Sequence, residues 1–264
     1  MSAAKHVEFL SDTAAVTFPD EWYHLSSVDH FWFEWRFFAA LKQVQDLGIP
    51  TDQPLSVLEI GCGSGILREQ FESATRWKID GTDLCLAALE AAKPARGRTL
   101  FYNILEERAG LVEAYDVVIL FDVLEHIDDT KGFLASVLRH IKPGGHLLVN
   151  VPALNALHSA YDDAAGHIRR YNRDSLTAEF AGTGLRVRDV RYWGFALVPL
   201  LLARRLWLGR TKPDADTIRK GFQPPGRLTH AILRALTRFE TALWSRPFVG
   251  TSVLLSGTRE RIAS

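Results

Sequence analysis

Short apolar runs separated by helix-length stretches recur through the chain, and they constrain its fold more than any other feature. The runs are SVLEIG, WKIDGTD, TLFYN, YDVVILFD and HLLVNVP, followed later by RVRDVRYW and FVGTSVLLSG. Apolar strands that alternate with helices are typical of βαβ units around a parallel sheet. Between the fifth and sixth runs a helix is predicted to begin near Asp174, whose side chain could cap it. The pattern predicts a doubly wound α/β fold with a sheet of seven strands.

The chain has no internal repeat and no linker long enough to separate domains, so its 264 residues are predicted to form a single domain. We expect three parts: an N-terminal helical cap (1–50), a core sheet (51–194 and 248–260) and a basic amphipathic insertion (195–247). The cap is inferred from aromatic and aliphatic residues at helical spacing, namely Phe31, Trp35, Phe38 and Leu41.

The insertion is far longer than the tight hairpin that would suffice between the last two strands. Its basic residues are Arg204, Arg205, Arg210, Lys212, Arg219, Lys220, Arg227, Arg234, Arg238 and Arg246. Its acidic residues are Asp214, Asp216 and Glu240. The excess of positive charge and the apolar block beginning at Phe195 suggest a peripheral membrane contact, or a lid that gathers a lipid-like acceptor.

One helical stripe in the insertion is apolar, and arginines fall on the opposite side. The stripe comprises Leu228, Ile232, Leu236, Phe239 and Leu243, and the arginines are Arg227, Arg234 and Arg238. Two interpretations stay open. The stripe lies at a membrane surface or over the acceptor, or it packs on the core sheet while the arginines are solvated.

Charge and cysteine content limit which partners and which cellular compartment are expected. Basic and acidic residues balance at 31 each, so we expect no electrostatic capture of nucleic acid. The start MSAAKHVEF does not resemble a signal peptide, and no apolar run reaches the roughly 20 residues that cross a bilayer. A disulfide between Cys62 and Cys85 is not expected, because Cys62 lies in a glycine-rich loop. We predict a reduced, cytoplasmic protein, soluble or peripheral at the inner face of the membrane.

The run VLEIGCGSG places Gly61, Gly63 and Gly65 directly after a strand and before a helix, where side chains would block a ligand. The spacing is G-x-G-x-G, whereas the fingerprint of dinucleotide-binding proteins is G-x-G-x-x-G. Glu59 precedes the first glycine by two residues and would repel a pyrophosphate. The same carboxylate suits a ligand that carries an ammonium and a sulfonium.

Two polar residues end the next two strands. Asp83 could accept hydrogen bonds from both hydroxyls of a ribose, or it could be a turn residue. The side-chain oxygen of Asn103 could accept a hydrogen bond from the amino group of an adenine, but an Asn at a strand end is also common in turns. Together with the glycine loop, these residues favour a nucleoside-containing ligand.

In order and spacing, VLEIGCGSG, GTD, FDVLEHI and IKPGGHLLVNVP resemble the motifs of class I S-adenosylmethionine-dependent methyltransferases. The resemblance covers roughly residues 55–152. It implies a Rossmann-like methyltransferase fold with an antiparallel last strand, and S-adenosylmethionine as cofactor. The expected reaction is methyl transfer to an oxygen or nitrogen of a small hydrophobic or anionic metabolite.

The resemblance also implies roles for individual residues. The loop from Gly61 to Gly65, including Cys62, would hold the methionine portion of the cofactor, and Asp83 would hold the ribose. Leu84 and Ile104 would cover the faces of the adenine, and Phe121 would form the rim near the sulfonium. Many relatives carry Asp at the position of Asn103, so this contact keeps an acceptor but loses a charge.

Two segments supply candidates for the acceptor side. His126 in FDVLEHIDD is placed by its motif to act as a base for a hydroxyl, or to brace the loop by hydrogen bonding. The run HSAYDDAAGHIRRYN should line the crevice at the carboxyl ends of the strands. From it we select His167 and Tyr171 as catalytic candidates, and His158, Arg169 and Arg170 as substrate-binding candidates. The arginines could also be solvated. No metal is predicted, because His158, Asp162, Asp163 and His167 match no strong ligand spacing.

Trp32 and Arg36 in the N-terminal cap are expected to close over the cofactor, with Arg36 meeting its carboxylate. Packing is the alternative role of such aromatics. Two rival functions share part of the pattern. A nicotinamide-dependent oxidoreductase would share Asp83 but should carry the other glycine spacing, and a catalytically silent methyltransferase-like subunit would keep the fold without the reaction.

Overall fold

The computed structural model describes residues 6–12, 15, 30–208 and 226–261. The strands in these ranges are β1 (Val7–Phe9), β2 (Ser56–Ile60), β3 (Lys78–Asp83), β4 (Thr99–Phe101), β5 (Tyr115–Phe121), β6 (Ile141–Pro152), β7 (Leu185–Trp193) and β8 (Ser252–Arg259). The α-helices are α1 (Phe31–Asp46), α2 (Ile66–Ala74), α3 (Leu86–Ala91), α4 (Thr130–Arg139), α5 (Ala160–Ala165), α6 (Arg173–Glu179), α7 (Val198–Leu208) and α8 (Arg227–Leu243).

The strands form one sheet in the order β1-β4-β3-β2-β5-β6-β8-β7. β8 is antiparallel to both of its neighbours, and the other pairs are parallel. The winding reverses between β2 and β5, and in open α/β sheets ligands bind beyond the carboxyl ends of the strands at such a point. The predicted doubly wound sheet with an antiparallel last strand is therefore confirmed.

The predicted strand number is wrong by one, because the sheet has eight strands and not seven. The additional strand is β1, which pairs in parallel with β4, with Val7 opposite Thr99 and Phe9 opposite Phe101. A run of three residues is too short to show an alternating pattern, and it lies in the segment predicted to be helical. The edge of β4 is thus covered by the chain's own N-terminal segment.

The sheet is buried on both faces because successive side chains of a strand point in opposite directions. Val57 and Ile119 pack with α1 and α2 on one face, in a cluster that includes Trp35, Phe71 and Trp77. Leu58 and Val118 belong to the cluster on the other face, which includes side chains of α4 and α6. The apolar runs of the sequence are continuous because both faces are covered.

The predicted cap of the helix near Asp174 is wrong. α6 begins at Arg173, and its N-cap is Asn172, whose Oδ1 accepts the N–H of Ser175 at 2.7 Å. Ser175 Oγ in turn accepts the N–H of Asn172 at 2.9 Å, which completes a capping box. An Asn two residues upstream competes for the same role as Asp174, and the sequence does not rank the two.

The insertion contains α7 and α8, and α8 packs along α1. Its predicted apolar stripe faces outward at Ile232, Leu236, Phe239 and Leu243, which are all exposed. The side chains of Leu228 and Arg227 lie outside the described residues. The interpretation in which the stripe packs on the core sheet is therefore wrong for the described positions. Among the described residues, no helix has the length and apolar character needed to cross a membrane.

Candidate active site

The glycine loop connects β2 to α2 at the point where the winding of the sheet reverses. Gly61, Gly63 and Gly65 all have positive φ, between 52° and 79°. A Cβ atom on Gly61 would lie 2.3 Å from Cγ2 of Val123, which follows β5. The loop thus needs glycine for its backbone conformation and for its close approach to the turn after β5.

Asp83 at the end of β3 closes onto this loop. Its Oδ2 accepts the N–H of Gly63 at 2.8 Å, and its Oδ1 accepts the N–H of Cys85 at 2.8 Å. Burial raises the pKa of Asp83, and these hydrogen bonds oppose the rise. The carboxylate orders the loop and keeps further lone pairs for hydroxyl donors. Its ribose contact stays a prediction.

Both cysteines are buried free thiols beside this loop. Burial raises the pKa of Cys62 well above its ordinary value, so the side chain packs as a small apolar group.

The residues predicted to contact adenine lie in two turns, Leu84 in the turn after β3, and Asn103 and Ile104 in the turn after β4. Ile104 is buried and Leu84 is partly buried, but Asn103 Oδ1 accepts the N–H of Leu105 at 3.1 Å. Asn103 thus has the turn role that the sequence left open, and its contact with adenine stays a prediction. Its N–H donates to Oγ of Ser11 at 2.9 Å, and Ser11 follows β1. Sequence reasoning missed Ser11, because its contact joins segments 92 residues apart.

Glu59 is buried near two arginines, Arg68 and Arg36. Burial raises its pKa to about 7, and the charges of these arginines only partly oppose that rise. Oε2 of Glu59 and Nε of Arg36 are buried and have no hydrogen-bond partner among the described residues. A carboxylate oxygen and a guanidinium nitrogen thus stay open for a ligand that carries both an ammonium and a carboxylate.

The raised pKa of Glu59 predicts how the ligand-free protein responds to pH. With a pKa of about 7 when folded and 4.5 when unfolded, Glu59 binds its proton more tightly in the folded protein. This contribution to stability is present below pH 4.5 and is lost as the pH rises through 7. It amounts to at most about 3.5 kcal/mol, since one pKa unit is worth about 1.4 kcal/mol. Glu59→Gln should flatten the loss, measured by urea unfolding at about pH 5 and about pH 8. Equal losses in both proteins would contradict the prediction.

Arg36 links the cap helix α1 to the end of β5. Its Nη1 donates to Oδ2 of Asp122 at 2.5 Å, and Asn150 Nδ2 donates to Oδ1 of Asp122 at 2.6 Å. The guanidinium carbon lies 5.1 Å from the ring centroid of Trp32 and 5.8 Å from that of Phe121. The structure thus brings Trp32, Arg36 and Phe121 together, and their contacts with the cofactor stay a prediction. The carboxylate that Arg36 meets in the protein itself is Asp122, which sequence reasoning missed.

The turn after β5 contacts the segment after α5. His126 Nδ1 donates to the carbonyl of Gly166 at 3.0 Å, and its ring lies edge-on to that of His167, with centroids 5.0 Å apart. Burial, and secondarily His167, lowers the pKa of His126, so the ring is neutral near pH 7. Glu125 is fully buried, and burial together with Asp122 raises its pKa well above the ordinary value.

Asp162 on α5 connects two of the predicted residues. Its Oδ1 accepts from His167 Nδ1 at 2.9 Å and from Arg170 Nε at 2.7 Å. Burial alone would raise the pKa of Asp162, but these partners hold it below the usual range. Arg170 Nη1 also donates to the carbonyl of Ala153 at 2.8 Å, so this buried arginine braces the fold and does not point into the crevice.

The other predicted acceptor-side residues differ in exposure. Arg169 remains 31% exposed, and its Nη1 lies 3.9 Å from Oε1 of Glu179. Tyr171 is buried in the core, which raises its pKa and disfavours ionisation. His158 is partly exposed, with its Nε2 3.7 Å from Oδ1 of Asp163.

Possible ligand atoms of Glu125, His126 and His167 lie within 4.8 Å of one another, a spacing that a cation could bridge. This grouping differs from the four residues weighed in the sequence, of which Asp162 is engaged by Arg170. The absence of a resident metal stays a prediction.

A glycine loop at the reversal point, closed by a carboxylate from the next strand, defines a Rossmann-like protein of the nucleoside-binding class. The sequence model of the methyltransferase domain family matches residues 32–190, more than half of the chain. The chain therefore belongs to this family. The family predicted from the sequence motifs is confirmed, and the match favours a methyltransferase over a nicotinamide-dependent oxidoreductase.

The chain resembles curated ubiquinone biosynthesis O-methyltransferases. It is 27% identical over 150 residues to the mitochondrial protein of Schizosaccharomyces pombe, covering 48% of this chain and 54% of the relative. It is 35% identical over 111 residues to the Candida albicans protein, covering 39% of this chain and 34% of the relative. The chain thus spans about half or less of the length of these relatives.

Solved structures share the fold. Haemonchus contortus phosphoethanolamine N-methyltransferase 2, in complex with S-adenosyl-L-methionine, has a TM-score of 0.55 at 19% identity, over 86% of this chain and 52% of that chain. An S-adenosylmethionine-dependent methyltransferase from Mesorhizobium loti has a TM-score of 0.53 at 15% identity, over 84% of this chain and 98% of that chain. At these identities the similarity establishes the architecture alone.

Proposed function

We propose that this chain transfers the methyl group of S-adenosylmethionine to an oxygen of a small hydrophobic or lipid-like metabolite. The observation that carries the proposal is the pair of open polar atoms, Glu59 Oε2 and Arg36 Nε, beside the glycine loop. The amino-acid end of S-adenosylmethionine carries an ammonium and a carboxylate, which complement these two atoms. The family match and the O-methyltransferase names of the relatives support the same reaction.

The residues present fit this cofactor. The loop Gly61 to Gly65 would receive the methionine portion, with Glu59 near the ammonium and Arg36 near the carboxylate. Asp83 would accept the ribose hydroxyls while it keeps the N–H of Gly63. Leu84 and Ile104 would flank the adenine, and Trp32 and Phe121 would exclude water near the sulfonium. The cofactor supplies a methyl group already activated by positive sulfur.

The protein's task is then to align the acceptor and to accept its proton, since alignment supplies much of the rate of such a displacement. His126 is our candidate for the base that accepts the proton of the acceptor hydroxyl. Because its Nδ1 donates to Gly166, the Nε2 of the neutral ring carries the lone pair. His167 is held in the same way by Asp162, and Arg169 at the surface is our candidate for an anionic group on the acceptor.

Domain organisation and location complete the proposal. The cap (1–50), the core (51–194 and 248–260) and the insertion (195–247) form one domain. The basic insertion brings the protein to the inner face of an anionic membrane, where a lipid-like acceptor would be available.

Ligand-dependent stability tests the proposal. S-adenosylmethionine and S-adenosylhomocysteine should raise the melting temperature, and NAD should not. At about 100 times the dissociation constant, the gain is about 2.7 kcal/mol. Differential scanning fluorimetry measures it, and Asp83→Ala is the matched variant, in which the gain should shrink. A shift with NAD and none with S-adenosylhomocysteine would refute the cofactor.

The acceptor is tested separately from the cofactor. Mass spectrometry of small molecules carried by the purified protein should find a hydroxylated compound or its methyl ether. Incubation with methyl-labelled S-adenosylmethionine and phenols with or without alkyl chains should label the alkylated ones preferentially. If the protein binds the cofactor but no acceptor becomes labelled, the result would favour a catalytically silent subunit over an enzyme.

A further inference from the structure

Helix α8 docks on the protein through its polar side. Arg234 Nε lies 2.6 Å from Oε2 of Glu34 on α1, and Arg234 Nη2 donates to Oε1 of Glu34 at 2.7 Å. Thr237 and Glu240 on the same side are buried. Glu240 accepts three consecutive backbone N–H groups that begin at Gly194, at 2.8 to 3.0 Å. These contacts fix which side of α8 faces the core.

The opposite side of α8 presents large apolar side chains to solvent. Along the helix Ile232 is 51% exposed, Leu236 43%, Phe239 64% and Leu243 72%. Beyond its end, Trp244 and Phe248 are 41% and 67% exposed. We call the four residues of α8, Ile232, Leu236, Phe239 and Leu243, the apolar face, since Trp244 lines a pocket with Glu240 and Thr241 on the docked side of the helix. An exposed apolar patch of this kind marks an interaction site more often than it marks ordinary surface.

Three partly exposed rings near the end of α8 contact one another. Phe195, after β7, lies 4.7 Å from Trp244 and 5.4 Å from Phe248 between ring centroids. Trp244 and Phe248 are 5.9 Å apart. Leu200 and Leu202 on α7 are also exposed. Exposed apolar side chains therefore occur on α7, on α8 and in the segment that follows α8.

Basic residues accompany this face. The side chains of Arg238 and Arg246 are 63% and 61% exposed, and they pair with Glu34 at 3.4 Å and Asp189 at 2.8 Å respectively. Each of these carboxylates is shared with a second arginine, Arg234 on Glu34 and Arg191 on Asp189, so positive charge remains in excess. Arg205 on α7 is also exposed. Four further basic residues of the insertion lie outside the described residues, namely Arg210, Lys212, Arg219 and Lys220. The insertion as a whole therefore carries an excess of positive charge, so the partner of the apolar face should be apolar and negatively charged.

We propose that the apolar face seats in the interfacial layer of an anionic membrane. Aromatic and leucine side chains flanked by arginines are the combination that a bilayer interface accommodates. A second copy of the chain on the same face would instead bring the arginines of two copies together. The inference rests on the proposed function, since a lipid-like acceptor would be available to the enzyme at a membrane surface.

The position of α8 connects this surface to the candidate active site. α8 packs along α1, and Glu34, to which Arg234 binds, lies in the same turn of α1 as Trp32. Arg36 follows within α1 and reaches Asp122 at the end of β5. The membrane would therefore lie one helix away from the crevice, on the side of the cap.

Vesicle flotation with the full chain tests the proposal. The probes are vesicles of phosphatidylcholine alone and of phosphatidylcholine with phosphatidylglycerol, at low and high salt. The wild type should float with the anionic vesicles at low salt and less at high salt. Phe239→Asp with Leu243→Asp should lower the partition by about tenfold or more, because burial of one large apolar side chain is worth that much. Leu105→Asp is the matched control, since Leu105 is 57% exposed on another part of the fold.

The outcomes separate this proposal from the proposed function. Absence of flotation on anionic vesicles at low salt, or equal flotation of the wild type and the double variant, would overturn the membrane contact. A dimer by light scattering that the double variant abolishes, without vesicle binding, would overturn it in favour of a second copy. The thermal shift with S-adenosylhomocysteine should persist in the double variant. If the wild type floats with the vesicles but shows no thermal shift with S-adenosylhomocysteine, the proposed cofactor is refuted and the membrane contact is not.

Discussion

Replacing Arg170 with alanine is expected to lower the free energy of unfolding by about 3–5 kcal/mol, because it strands a buried carboxylate without its partner. Asp162 is fully buried and receives the Nε of Arg170 at 2.7 Å. Arg170 also holds the carbonyl of Ala153. Urea unfolding followed by circular dichroism measures the change.

The matched control is the neighbouring arginine. Arg169→Ala should cost less than about 1 kcal/mol, since its pair with Glu179 is long and exposed. If Arg169 contacts the acceptor, its variant should lower activity at unchanged stability. If the two variants lower the free energy of unfolding equally, then Arg170 does not stabilise the fold more than the surface residue Arg169, and the prediction is wrong.

Gly61→Ala is expected to destabilise the protein and to weaken binding of S-adenosylhomocysteine by more than about tenfold. The added Cβ would lie 2.3 Å from Cγ2 of Val123, so the loop or the turn after β5 must move. The positive φ of 72° adds about 1–2 kcal/mol for a residue with a side chain. Titration calorimetry measures the affinity, and thermal unfolding measures the stability.

Two further variants separate the clash from the backbone strain. Gly48 has a φ of 68° and nothing within 4 Å of its Cβ position, so Gly48→Ala carries the strain alone and should leave affinity unchanged. Val123→Ala removes the clashing methyl group, so it should restore part of the affinity when combined with Gly61→Ala. A Gly61→Ala protein with wild-type affinity would mean that the loop does not hold the ligand.

The parts of the molecule that could be predicted from the sequence are those fixed by local chemistry. A strand, a glycine loop and a helix follow one another in VLEIGCGSG, so the β2 to α2 connection needed no distant information. Asp83 could be predicted because it ends the next strand, and parallel strands end at the same edge of the sheet. The family followed from the order of such local motifs.

Long-range contacts were not accessible in this way. The pair Arg36 and Asp122 joins positions 86 residues apart, and each residue alone is an ordinary charged side chain. Arg169 and Arg170 are adjacent in sequence, and only the fold reveals which of them is buried. An amphipathic pattern defines two sides of α8 but not which one faces inward. The orientation depends on contacts with Glu34 and Gly194, which lie in other segments of the chain.

The carboxylate of Glu240 ties the far end of the insertion back to its beginning. It accepts N–H groups of residues 44 to 46 positions earlier, so the intervening chain leaves and returns at a single point. A loop closed at its base can change length at low entropic cost, since each doubling costs only about 0.6 kcal/mol. By this argument, a change in the length of the insertion should cost the unaltered sheet little free energy. Chimaeras joined at Gly194 and Glu240 would test whether the proposed membrane contact moves with this segment.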